Sequence, residues 1–397
     1  MTKKTGLVKA LLWLVITAYL LFFVINLRSK PQPPIPGAER TRLMNKALAS
    51  KRVGLIVNQS SRVGTVHLID ALQKEGIKIT SLFAVEHGIR GTEDAGAVID
   101  NSRDTSSGLP IISIYGKKKA PTPQDVENVN ILVFDLQDVG VRFYTYLSSL
   151  HYIMETCAQN NVPLVVLDRP NPNISYIDGP ILEPAFQSFI GMHPIPVLHG
   201  MTLGELAQMI NGEAWLADGL VCDLTVIPVK NYTRSTVYHL PIKPSPNLPN
   251  QQAIKLYPSL ALFEATNISV GRGTEFPFQV LGGAHTGFGD FTFTPVSTPG
   301  AALNPKLEGQ LLYGKDFRME QIAGLNIEIF QKWYGRAKDL NQPFLNRPKW
   351  LDKLMGTDIF RTQIEAGLSA DDIRASWEQG LNSFKARRSP YLLYPDE

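Results

Sequence analysis

Glu86 stands directly after the apolar run Leu82-Phe83-Ala84-Val85 and is followed by His87 and Gly88. A carboxyl at a strand end, flanked by apolar walls, can have its pKa raised and act as a general acid. Gly88 and Gly91 let the backbone approach a ligand, and Arg90 adds a guanidinium. The competing reading is a surface turn with an incidental Glu-His pair. Asp135, Asp138 and Arg142 follow a second apolar run, with Phe143, Tyr144 and Tyr146 next in the chain. These polar residues could equally cap a strand end and form a structural ion pair. Sugars offer apolar C–H faces and hydroxyl rims, so carboxylates beside stacking rings suit a carbohydrate ligand. In Gly271-Arg272-Gly273-Thr274-Glu275 an arginine is flanked by glycines. A planar guanidinium placed there can clamp a carboxylate through two parallel hydrogen bonds; the alternative is a tight turn with an exposed Arg.

Other chemistries find little support. The loop at Gly271 lacks the P-loop lysine and the GxGxxG spacing of a phosphate cradle. The seven histidines form no HxxxH or HExxH pattern, so no metal is expected. There is no GxSxG elbow. Cys157 and Cys222 have no metal-ligand spacing and sit in apolar runs. They read as two buried thiols, with a disulfide open to them in an oxidising compartment. A net charge of +3 and the absence of a Lys/Arg stripe argue against nucleic acid as a partner.

The elements that must position these residues alternate. Short apolar runs at Val53 to Val57, Ile77 to Val85, Ile111 to Tyr115, Ile131 to Leu136 and Leu164 to Leu167 read as strands. Val66 to Glu75, Tyr144 to Gln159 and Thr202 to Gly212 read as helices, the last opened by a Thr202–Glu205 capping box. Such alternation predicts an α/β fold with a mostly parallel sheet covered on both faces. Ligands of such sheets collect at the carboxyl ends of the strands. Four polar clusters fall at those ends: Asn58-Gln59-Ser60, Glu86-His87-Gly88, Asp135 to Asp138, and Asp168-Arg169-Pro170-Asn171. Beyond Pro228 the texture changes to a mixture, with β-like runs at Phe291 to Pro295 and Leu325 to Phe330 and helical stretches near Met319 and from Asp371 to Phe384. A smaller α+β C-terminal domain is expected there.

The chain has 397 residues, 44% of them hydrophobic and 19% charged, enough for two globular units with a sizeable core. Ahead of them, Lys3, Lys4 and Lys9 precede an apolar run from Ala10 to Ile25, closed by Arg28 and Lys30. The run approaches the length that spans a bilayer and carries no small-x-small cleavage site at its end. It reads as an uncleaved transmembrane anchor, basic tip inside and body outside, with cleavage after Ala38 as the alternative. Pro31 to Gly37 reads as a stiff spacer. The expected organisation is 1–30 tip and anchor, 31–39 Pro-rich linker, 40–235 sheet domain and 236–397 C-terminal domain, with the globular body in the periplasm.

The motifs, taken in order, resemble those of the NamZ/YbbC-type exo-β-N-acetylmuramidases. The matching blocks are Phe83 to Gly91, Tyr115-Gly116 with Pro121-Thr122-Pro123, Val133 to Gly140 with Arg142 to Tyr146, Asp168 to Pro172, Asp178-Gly179-Pro180, His199 to Thr202, Pro244 to Asn247, and Ser269 to Thr274. The resemblance covers residues 40 to 395. It implies a Rossmann-like domain joined to a smaller C-terminal domain, a cleft between them, no nucleotide or other cofactor, and peptidoglycan-derived saccharides as substrates. The implied activity is release of N-acetylmuramic acid from non-reducing ends, with Glu86 as the leading catalytic residue and Asp135, Asp138 and Glu275 as claimants for a second role. The candidate substrate ligands are Asn58, His87, Arg90, Arg142, Tyr144, Arg169, Asn171, Asn247 and Arg272. This chain departs from the family's usual Pro-Phe-Glu and Gly-Ala-Pro-Trp at Pro277-Phe278-Gln279 and Gly282-Gly283-Ala284-His285, losing a carboxylate and an aromatic. Two other functions compete: a catalytically silent sugar-binding or scaffold protein, which the loss at Gln279 would suit, and a nucleotide-dependent transferase, which the missing glycine fingerprint opposes.

Overall fold

The computed structural model describes residues 32–86, 88–90 and 102–397, together with Trp13 and Thr17. Seven strands form the main sheet: β1 (Arg52–Val57), β2 (Lys78–Ala84), β3 (Ser102–Arg103), β4 (Pro110–Ser113), β5 (Ile131–Asp135), β6 (Leu164–Leu167) and β7 (Leu224–Ile227). Their order is β3-β4-β2-β1-β5-β6-β7, and every pairing is parallel except the short edge pair β3–β4. All five strands expected from the sequence are therefore present, in one sheet.

Alternation along the strands divides the interior in two. Leu132 and Phe134 of β5, with Leu164 and Val166 of β6, belong to one buried cluster. Ile131 and Val133, with Val165 and Leu167, belong to another on the opposite face. This is the period-2 pattern of strands buried on both sides. The second face is covered by α1 (Thr41–Leu48) and α2 (Leu68–Lys74), which bury Met44, Leu48, Leu68, Ile69 and Leu72 there. On the first face lie α4 (Tyr146–Asn160) and α5 (Leu203–Gly212), after the single-turn α3 (Pro123–Val126). The expected capping box at Thr202 is formed, its hydroxyl accepting from Glu205 N–H.

The C-terminal half holds α6 (Gln251–Leu260), α7 (Ile327–Asp339), α8 (Pro348–Met355), α9 (Ile359–Ala366), α10 (Ala370–Ala375) and α11 (Glu378–Arg388). It also holds an antiparallel sheet of β8 (Val280–Gly283), β9 (Phe291–Phe293) and β10 (Leu312–Asp316), in the order β8-β10-β9. Its helices share the first face's apolar cluster, which runs from Phe83 and Phe134 through Phe263 and Phe330 to Phe384. One core thus crosses both halves.

Three sequence readings are corrected. Leu325 to Phe330 reads as β-like, yet α7 starts at Ile327 because Asn326 caps Ile329 N–H and Ile327, Phe330, Trp333 and Ala337 are buried at helical spacing. Met319 lies in a turn and is 89% exposed, so it nucleates no helix. The spacer docks on the body: Ile35 pairs with Lys230 through two backbone hydrogen bonds of 2.9 Å, Gly37 N–H donates to Asp168 O, and Ala38 is fully buried. Among the described residues no helix is long and apolar enough to cross a membrane. The run from Ala10 to Ile25 lies outside them except for Trp13 and Thr17.

Candidate active site

Glu86 follows β2 by two residues, and Tyr115 follows β4 by two. Phe143, Tyr144 and Thr145 close the loop that leads into α4. Thr145 is the N-cap of that helix but makes no capping bond. Its hydroxyl instead donates to Glu86 Oε2 at 2.6 Å. The Tyr115 phenol also hydrogen-bonds Glu86, and burial, the Glu86 charge and that bond together push its pKa up. Two hydroxyls from two different connections therefore fix the carboxyl.

The opposite wall comes from the C-terminal half: Asn247, Tyr257 of α6, Glu264 and Arg272, with Phe278 and Trp350. Together these surfaces enclose a cavity of about 230 Å³. Arg272 donates from Nε to Glu264 Oε1 at 2.8 Å, and its guanidinium lies 4.8 Å from the centre of the Phe278 ring. Both partners of the pair remain about a quarter exposed. The turn that carries Glu264 is tied down by Lys306, whose ammonium donates to the carbonyls of Phe263, Glu264, Thr266 and Ile268. Tyr257 meets Phe143, Tyr144 and Phe278 edge to face, with centroids 5.5, 6.1 and 5.0 Å away. Burial raises the Tyr144, Tyr146 and Tyr257 phenols, so they stay neutral near pH 7. Tyr144 donates to Pro244 O at 2.9 Å, and Tyr146 accepts from Asn58 Nδ2 at 2.7 Å.

Of the residues singled out in the sequence, Glu86, Tyr144, Asn247 and Arg272 meet at this cavity. His87 lies outside the described residues. The others are placed elsewhere, each for a physical reason. Asp135 accepts two hydrogen bonds from Arg169, at 2.6 and 2.8 Å, and both side chains are buried. Arg142 is buried with its guanidinium donating to the carbonyls of Pro180, Ile195 and Leu354, which fastens the first half to α8. Arg90 is paired with Asp104 at 3.0 and 2.8 Å. Asn58 serves Tyr146 and Ser60. Asn171 donates to Met201 O, and Gly140, at φ +77°, passes so close that a Cβ would fall 2.1 Å from Asn171 Oδ1. Glu275 is exposed and does not line the cavity. Asp138 is buried behind the phenols, with Oδ2 accepting from Gly140 N–H at 2.6 Å. Burial raises its pKa to about 7.

Sequence reasoning missed Glu264, Tyr257 and Trp350, for which no motif signals a role. It quoted Tyr115 and Thr145 only as parts of motifs. The offset between each of them and its strand or helix terminus was the available signal.

The family model described as "Exo-beta-N-acetylmuramidase NamZ, N-terminal" matches residues 53–252, and its C-terminal counterpart matches residues 255–394. The chain belongs to the NamZ exo-β-N-acetylmuramidase family. It is 39% identical over 374 residues to the peptidoglycan β-N-acetylmuramidase NamZ of Bacillus subtilis (strain 168), with 88% of each chain covered. Two crystal structures of DUF1343 family proteins from Bacteroides fragilis NCTC 9343 share the fold. One is 42% identical with a TM-score of 0.83, covering 92% of this chain and 100% of that one. The other is 28% identical with a TM-score of 0.76, covering 91% and 99%. The two departures from the usual NamZ loop lie off the cavity. Gln279 is buried and accepts from Asn250 Nδ2 at 3.1 Å. His285 caps an exposed 3-10 turn through Nδ1 and Gly287 N–H.

Proposed function

We propose that this protein is an exo-acting glycosidase that releases N-acetylmuramic acid from the non-reducing ends of peptidoglycan fragments, as in cell-wall turnover and recycling. The observation that carries the reading is the placement of Glu86 and Arg272 on one cavity built from both halves of the chain. At about 230 Å³ the cavity is smaller than the roughly 300 Å³ at which drug-sized ligand pockets begin, which suits a single sugar unit. Edge-to-face aromatics offer apolar surface to the sugar ring, and the phenols offer donors.

In this reading Glu86 protonates the leaving oxygen as the bond passes through an oxocarbenium-like state. Thr145 and Tyr115 hold its carboxyl in place. With Asp135 locked to Arg169 and neither Asp138 nor Glu275 lining the cavity, the second role falls to the substrate's own 2-acetamido oxygen. Arg272, steadied at Nε by Glu264, pairs with the lactyl carboxylate that distinguishes muramic acid from glucosamine. A site built around that pair rejects the sugar that lacks the carboxylate, because a guanidinium loses its partner. The decisive assay offers a chromogenic N-acetylmuramic acid glycoside and the matching N-acetylglucosamine glycoside to the protein. Turnover restricted to the first is expected; turnover of neither would leave a sugar-binding protein.

The proposed location is the inner membrane, single-pass, with the body in the periplasm. The apolar run between Lys9 and Arg28 supports it. Recovery of a soluble form beginning near residue 39 from cells would refute the anchor.

A further inference from the structure

The chain enters the body at a basic groove that the proposed reaction does not use. Ile35 is zipped to Lys230, and Gly37 is so tightly seated that a Cβ would fall 2.3 Å from Ile227 O. Helix α1 then buries Met44 and Leu48 against the sheet. Its other side turns Arg42, Leu43 and Lys46 outward, with Leu43 39% exposed. Arg40 and Lys230 complete the groove. Among the described residues lining it, four are cations and one, Glu39, is a carboxylate that already accepts from Gly64 N–H at 3.1 Å.

Chain length decides what this groove faces. Arg28 closes the apolar run seven residues before Ile35. A fully extended chain of that length reaches at most about 25 Å. A globular body of this size is roughly 50 Å across. If the apolar run sits in the bilayer, the face around Ile35 is the one held near the lipid surface. We propose that this groove, built from Arg40, Arg42, Lys46 and Lys230 around Leu43, docks on anionic phospholipid headgroups of the membrane that holds the anchor. The proposal rests on the anchored reading given above. Each basic side chain near an anionic surface strengthens such docking by about fivefold. Helix α1 packs on the sheet face opposite the cluster that supplies Phe143, Tyr144 and Phe278, so the cavity walls sit on the side away from the docked helix.

The test reconstitutes the full chain, carrying a fluorophore on Leu43→Cys, into vesicles of phosphatidylcholine alone or with about one-third phosphatidylglycerol. Lipids bearing a headgroup quencher report proximity. Quenching is expected to be severalfold stronger in anionic vesicles, to fall in 1 M salt, where the Debye length shrinks to about 3 Å, and to drop to the phosphatidylcholine level in the Arg42→Glu, Lys46→Glu, Lys230→Glu triple variant. Turnover of the muramic acid glycoside by that variant should be unchanged, which shows that it folds. Cosedimentation with both vesicle types but equal quenching in both would overturn the docking while keeping the anchor. Cosedimentation with anionic vesicles alone would overturn the anchor and leave a peripheral basic face. Binding to neither would sink both.

Discussion

Thr145 Oγ1 lies 2.6 Å from Glu86 Oε2, and the helix that Thr145 starts forgoes its side-chain cap to make that contact. An N-cap bond is typically worth ~1 kcal/mol, about as much as the side-chain hydrogen bond that replaces it, so the helix loses little and the carboxyl is oriented. Glu86→Gln should lower kcat by about 10²- to 10⁴-fold on substrates with poor leaving groups and much less on activated aryl glycosides, while binding of free N-acetylmuramic acid survives. Equal losses on both substrate types would make Glu86 a nucleophile or a positioning group. Thr145→Val, which keeps the shape and removes the donor, should cost about 10-fold in kcat with little change in KM.

Arg272 Nε is engaged by Glu264 at 2.8 Å, which leaves the other guanidinium donors for the proposed substrate carboxylate. Arg272→Lys keeps the charge and loses the planar fork. The muramic-over-glucosamine ratio of kcat/KM should fall by about 10- to 100-fold, the range of one charge-assisted hydrogen bond. A ratio at the wild-type level, measured by competition between the two glycosides, would remove Arg272 from recognition.

Asp135 and Arg169 have a structural rather than a chemical consequence. Arg169→Met strands a buried carboxylate and should destabilise the fold by ~3–5 kcal/mol. Pairing it with Asp135→Leu, of similar volume, should recover most of that loss. Urea unfolding of the two single variants and the double variant measures the coupling. Additive losses would show that the two side chains act independently.

Buried histidines make stability fall with falling pH, each on its own account. His199 is buried beside Arg388, Arg142 and Arg234, and burial first, then those cations, lower its pKa to about 3. His193 is lowered to about 3 and His67 to about 4, each mainly by burial. A histidine held neutral in the fold gains a proton on unfolding once the pH drops below about 6.5. Its contribution is therefore present above 6.5 and is lost as the pH falls toward 3, at about 1.4 kcal/mol per pH unit. Asp138, raised to about 7, works in the opposite direction, as do Asp135, Asp168, Asp178 and Glu205, which burial also raises. His199→Gln keeps an acceptor for Met201 N–H, which His199 Nδ1 now serves at 3.2 Å. It should flatten the slope of stability against pH between 6 and 4 by about one proton. An unchanged slope in urea titrations would show that His199 is not the linked group.

Local pattern carried the architecture. Runs such as Val53 to Val57 and Ile131 to Leu136 read as strands and are strands buried on both faces. Thr202 and Glu205 declared a helix start, and Glu86 stood at a strand end that the sheet kept. A run such as Leu325 to Phe330 misled because short apolar segments fit either period, and an Asn cap settled it as a helix. What a sequence does not contain is which polar group satisfies which. Asn58, Asp135, Arg169 and Asn171 sit at the same sheet edge as Glu86. Tertiary contacts commit them to Tyr146, to each other and to Met201 O, because a buried polar group left unpaired is costly. Arg142 looked like a ligand and is a pin between halves, since three carbonyls more than 35 residues away converge on it. Glu264, Tyr257 and Trp350 reach the cavity only when the C-terminal half folds over α4. The residue types on one wall were legible in the chain; their partners across the cavity were decided by packing at long sequence separation, which local periodicity does not encode.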